Sequence, residues 1–216
     1  GAVTAFGSIF VTGTEYDTGT AAVTLERVVS PASALRVGMV VVVEGERAAS
    51  GTTGTAQTVT YDDEIEGPIS AITLVSVDEK QLAILGQTVT IERNLTRFDA
   101  SGAAALPTFD TIALNDLVEV SGFRRTADIQ ATYVEKKGVA GATPAVELKG
   151  TVSGVAGMSF MPGTSLVNWS NTTTLANRPS GGPTNGDFVE VEGTLSNATT
   201  IQASRIERKS GFSGNV

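Results

Sequence analysis

Cysteine and histidine are both absent from the 216 residues. Without cysteine the chain has no disulfide, thiolate zinc site, iron–sulfur cluster or thiol nucleophile. Without histidine it lacks the usual general base and transition-metal ligand, so a Ser-His-Asp triad is impossible. Aromatic residues make up 6% with a single Trp, and no aromatic-rich groove is legible. No stretch of eighteen apolar residues occurs, so nothing is expected to span a membrane as a helix. Basic residues are outnumbered, giving a formal net charge of −8. That argues against a nucleic-acid partner, because phosphate binding rests on clustered Lys and Arg.

What is present favours strands. An apolar share of 41% and a mean hydropathy of +0.10 exclude a polar, disordered chain. Val, Thr, Ala and Gly dominate; β-branched side chains suit a pleated strand, and 24 glycines supply turns. Little lysine beside much Thr, Gly and Asn reads as an extracellular or cell-envelope chain. It opens at Gly1 without a charged segment followed by an apolar one, so a signal peptide is expected to have been removed or left out.

Three eight-residue segments set the organisation: Gly38-Met-Val-Val-Val-Val-Glu-Gly45, Asn115-Asp-Leu-Val-Glu-Val-Ser-Gly122 and Gly186-Asp-Phe-Val-Glu-Val-Glu-Gly193. Their closing glycines lie 77 and 71 residues apart. The opening Gly, Asn and Gly tolerate positive φ and predict a tight turn. The alternating valines 41/43, 118/120 and 189/191 point to an interior, while Glu119 and Glu190 between them are expected to face water. The final glycine ends the strand or permits a sharp bend. A second segment follows each copy, with a shared Ala-x-x-Val/Ile at Ala56, Ala131 and Ala203. Upstream hairpins are expected over Phe6 to Val11 turning at Thr12-Gly13, Leu82 to Ile91 turning at Gly86-Gln87, and Leu148 to Phe160.

This pattern predicts an all-β protein of three tandem small OB-like β-barrels, 1–64, 65–138 and 139–216, joined by short linkers into a semi-rigid rod. The alternative is a single β-sandwich whose strands merely look alike.

Ala5-Phe-Gly-Ser-Ile-Phe-Val-Thr-Gly13, Leu35-Arg-Val-Gly-Met-Val40, the Val-Glu-Gly45 step and the Ala-x-x-Ile-Glu ending resemble an exported bacterial family. Its members carry tandem OB-like β-barrel repeats, known as a domain of unknown function. The resemblance is sharpest over residues 1 to 46 and weakest in the insert Asn94 to Asp110. It implies an envelope or secreted location and has no catalytic or ligand residue to transfer.

Candidate sites are few. Asp62-Asp63-Glu64-Ile65-Glu66 could offer oxygens to calcium but lacks the alternating Asp/Asn loop pattern with its Gly, and reads as a solvated linker. Arg124 and Arg125 could grip an anion, and Trp169 could stack on a sugar ring. No catalytic residue, cofactor or metal is expected. Two features favour assembly. Val40 to Val43 and Ser8 to Val11 are apolar on both faces, marking Ile9, Val11, Val40 and Val42 as contact residues. Net charge runs from −5 over 1–64 through −3 over 65–138 to zero over 139–216, where Arg205 and Arg208 lie near a locally basic end. This polarity suits head-to-tail contact.

The leading expectation is a non-enzymatic structural protein of the bacterial surface or extracellular space, self-assembling into a fibre or sheath. A binding module using one barrel face for a glycan or peptide is the second reading, and a hydrolase with an inter-barrel cleft the third.

Overall fold

A computed structural model describes residues 1–4, 8–177 and 181–209. The start of the first expected hairpin at Phe6 lies outside them. The chain is all-β, with 60% of residues in strands and no α-helix among the described residues. Among the described residues no helix is long and apolar enough to cross a membrane. The strands form a six-stranded sheet from Ile9–Val11 to Thr53–Tyr61 and a twelve-stranded sheet from Ile65–Ser76 to Thr200–Arg208.

The recurring segments occupy equivalent places. Gly38, Asn115 and Gly186 have φ of 99°, 64° and 91°, the left-handed turn that opens each copy. The strands Val41–Arg47, Asp116–Arg124 and Phe188–Asn197 then pair antiparallel with Thr53–Tyr61, Ile129–Val139 and Thr200–Arg208. Each closing glycine stands opposite the alanine of the second segment: Gly45 with Ala56, Gly122 with Ala131, Gly193 with Ala203. Instead of ending the strand, each marks a β-bulge. A Cβ at these positions would run into the carbonyl oxygens of Thr55, Gln130 and Gln202.

The expectation of three closed OB-like barrels is corrected: the arrangement is a β-solenoid of about five turns. The physical reason is visible at the start of Ile65–Ser76. Ile65 and Glu66 pair with Val120 and Glu119 on one edge and with Leu148 and Glu147 on the other. A self-contained barrel would keep both edges for its own strands; here one edge is given in part to the next repeat. The second and third repeats therefore share one sheet and one apolar core, which runs from Ile65 to Ile206.

The rod is corrected too. Tyr133 of the second repeat is buried in the core of the first. The Val40 N–H donates to Ser121 Oγ at 2.8 Å, and Arg27 and Lys209 bridge the first repeat to the third. The first repeat thus rests against both of the others.

Candidate functional site at the junction of the three repeats

The large sheet carries a row of acids on the face turned to this junction. Successive cross-strand partners are Glu135, Glu119, Glu66, Glu147 and Glu192, ending on Arg205. Like charges directly opposite one another are destabilising, so the row needs cations, donors or protons. The neighbouring row holds Lys149 opposite Glu190.

The first repeat supplies partners from a tight turn and a strand end. Glu26 and Arg27 join Ala22–Leu25 to Val28–Val29 with φ of 46° and 63°, a two-residue turn that ordinarily calls for Asn-Gly. Left-handed backbone at non-glycine residues costs about 1–2 kcal/mol each, and here it aims both side chains into the junction. Arg27 donates to Glu190 Oε1 at 2.5 Å and to Glu192. Glu26 accepts from the Asp63 N–H at 2.7 Å. The Tyr61 hydroxyl donates to Glu119 Oε1 at 2.6 Å, and Lys137 lies 2.6 Å from Glu119 Oε2. Lys149 Nζ donates to the Asp63 carbonyl and lies 3.2 Å from Asp62 and 3.5 Å from Glu190. Lys209 lies 2.7 Å from both Asp62 and Glu190.

Burial and crowding split these groups. Burial, then the charge of Glu147, raises the Glu26 carboxyl to about 8. Burial, then Glu190, raises Glu147 to about 7. Asp63, wholly enclosed beside Glu147 and Glu26, is pushed well above the usual carboxylate range. Asp62 goes the other way: burial opposes its charge, but Lys149 and Lys209 outweigh that and lower it. Burial likewise disfavours the Lys149 ammonium, and Asp63 and Asp62 more than compensate.

Glu119 and Glu190, expected to face water, are 5% and 1% exposed. Asp63, read as part of a solvated linker, is 2% exposed. Alternation identified the outer face of each strand correctly, but the first repeat covers that face. Sequence reasoning missed Glu26, Arg27, Glu147 and Lys149 and read Lys209 only as part of the locally basic end; the available signal was the Glu-Arg pair where a turn favours Asn-Gly.

Beside the junction, between the first and second repeats, a cleft of about 470 Å³ is lined by Glu26, Arg36, Tyr61, Asp99, Glu119 and Tyr133, among others. The Tyr133 hydroxyl reaches Asp99 at 3.2 Å.

The residues singled out in the sequence are scattered. Ile9 and Val11 are buried in the first core, while Val40 is half-buried against Ser121. Val42 is 38% exposed. Arg205 pairs with Glu192 and Glu207, and Arg208 with Asp187, so both are engaged within the chain. Trp169 packs against the large core with Gly182 close to its ring. Arg124 pairs with Glu64 at 3.1 Å and lies over Phe188, while Arg125 pairs with Asp128 beside a shallow hollow of about 580 Å³. The structure brings none of these together into one site.

No curated protein and no solved structure matches the chain. One family model does, twice, over residues 66–135 and 149–207, together more than half of the chain. These two segments fall within the repeats that share the large sheet. By that match the chain belongs to the family described as a domain of unknown function, DUF5666.

Proposed function

We propose that this is a non-enzymatic structural protein of the bacterial cell surface or extracellular space that self-associates head to tail. The observation that supports the reading is the outward face of the six-stranded sheet. Val29, Thr24, Thr60 and Val42 stand side by side across four strands in one row. Val29 is 85% exposed, and the two-residue strand Val28–Val29 closes the sheet with an edge unpaired among the described residues. An uncharged β-branched row beside an open edge is a template for another chain. A second, different apolar group, Leu74, Val75 and Val77, projects at the hairpin between Ile65–Ser76 and Glu79–Ile84. Two unlike patches on one chain permit the heterologous contact from which filaments grow. Arg205 and Arg208 do not supply the attraction, because both are paired internally. With a net charge of −8 the copies repel one another, so association should strengthen as salt screens that charge.

Sedimentation velocity over a range of protein and salt concentrations tests this. Concentration-dependent large species that vanish in Val29→Lys and Val42→Lys support it. A monomer under every condition overturns it.

The second reading is a binding module for a glycan or peptide, favoured by the cleft in which the hydroxyls and carboxylates of Tyr61, Tyr133, Glu119 and Asp99 converge. Its volume falls in the range of small-ligand pockets. Glycan-array hits lost in Tyr133→Phe would favour it over assembly; an array without hits would remove the glycan arm.

A further inference from the structure

Two groups of three carboxylates overlap at the junction and share Glu147: Asp62, Glu147 and Glu190, and Glu26, Asp63 and Glu147. In each, one oxygen from every residue lies within 4.8 Å of the others. The chain itself shows how such a group is neutralised. In the first, the Lys149 and Lys209 ammonium groups sit 2.7–3.5 Å from Asp62 and Glu190. In the second there is no equivalent among the described residues. The nearest ammonium, that of Lys149, is 4.0 Å from Asp63 Oδ1.

A second observation points into that gap. Asp63 is 2% exposed, and its Oδ1 has no hydrogen-bond donor. Glu147 Oε1 likewise has no donor, and the side-chain contact that Glu147 does make there is with the Asp63 carboxyl itself. An enclosed oxygen without a partner forfeits its hydration with nothing in return, at a cost of several kcal/mol when charged.

We propose that Glu26, Asp63 and Glu147 bind a hard divalent cation, calcium or magnesium, where the three repeats meet. All three ligands are carboxylate oxygens, and a chain without histidine or cysteine has nothing to hold zinc or copper in preference. Glu26 also lines the cleft between the first two repeats, which gives the ion a route in. The ligands come from a turn and a strand end of the first repeat and a strand of the third, so the ion fastens the first repeat onto the large sheet. Binding that requires the assembled junction stabilises the folded chain in proportion to its affinity.

The full chain, purified without chelator and dialysed, is assayed for bound calcium and magnesium by elemental analysis, and for terbium luminescence excited through tyrosine. Thermal unfolding is then compared in EDTA, calcium chloride and magnesium chloride. One equivalent of cation per chain is expected, with a higher Tm in calcium or magnesium than in EDTA. Glu26→Gln and Asp63→Asn should each lose the cation, the terbium signal and the Tm increment. Glu26 lies in a half-buried turn, so Glu26→Gln keeps the test informative if Asp63→Asn fails to fold. The exposed Asp110→Asn should change nothing. The proposal is overturned by a cation-free wild type whose Tm is the same in all three solutions, the outcome if protons alone neutralise the cluster. It is equally overturned by cation retention that Glu26→Gln and Asp63→Asn leave intact.

Discussion

Glu66 and Glu147 stand directly opposite each other on neighbouring antiparallel strands, at the point where the second repeat passes one of its edges to the third. Two carboxylates in such a pair are an unfavourable choice for sheet stability. Burial, together with Glu119 and Glu135, raises the Glu66 carboxyl above its ordinary range. The first repeat answers the row from the other side with Arg27 and the Tyr61 hydroxyl, and the large sheet's own Lys137 and Lys149 contribute from within.

Glu66→Gln should therefore stabilise the protein near neutral pH, by a few tenths of a kcal/mol up to about 1 kcal/mol, the usual size of a cross-strand pair term. Urea denaturation of the two proteins side by side measures it. A loss of stability would mean that Glu66 makes a needed contact with a cation.

Lys149→Met should be severe. The ammonium serves Asp62, Glu190 and the Asp63 carbonyl at once, and its side chain is almost fully enclosed. Removing one partner from a buried ionic network costs about 3–5 kcal/mol, because the remaining charges are left uncompensated. The expected outcome is a large fall in urea midpoint, partly recovered by adding Glu190→Gln.

Tyr61→Phe removes one donor to Glu119 and leaves Lys137 in place. A hydrogen bond to a charged acceptor is worth about 1.5–3 kcal/mol. A double-mutant cycle with Glu119→Gln should return a coupling of that order, and additive effects would show that the contact contributes nothing.

Gly122→Ala should destabilise by about 1–3 kcal/mol or more, since the new methyl group meets the Gln130 backbone rather than a flexible side chain. Gly193→Ala, built the same way against Gln202, should behave alike. Gly141→Ala is the contrast. No atom lies near its Cβ position and its φ is not left-handed, so it should be neutral or slightly stabilising.

The acid limb of the stability curve should carry a contribution from Asp128. Its bond from Arg125, against a smaller opposing effect of burial and with help from Thr90, holds its carboxyl below the ordinary aspartate range. A depressed folded value means that the contribution is complete above the unfolded value and is lost as pH falls through the folded one. In an NMR titration Asp128 should remain ionised at a pH where a free aspartate is half protonated. Arg125→Ala should move its midpoint upward.

The repeat itself was readable because its signals are local. A left-handed residue at Gly38, Asn115 and Gly186, valines alternating behind it and a closing glycine are demands of the backbone, and backbone demands are written at fixed spacing. The same alternation marked Glu119 and Glu190 as outward, which is right as far as one strand goes. It carries no information about what lies on the outward side.

Closed barrels were the natural extrapolation from a seventy-residue period, yet they require each unit to keep its own edges. Whether Ile65 and Glu66 pair only with their own repeat or also with Leu148 and Glu147 depends on residues some eighty positions away. No propensity at either place records it.

By itself, then, the sequence settled the all-β class, the threefold recurrence, the turn positions and the absence of thiol and imidazole chemistry. Each of these follows from side-chain chemistry or from backbone geometry within a few residues. Only the tertiary structure decided that the repeats share a sheet and that the first covers the acidic face of the others. It alone gathered Glu26, Asp63 and Glu147, because like charges meet only where distant segments are pressed together and water is excluded.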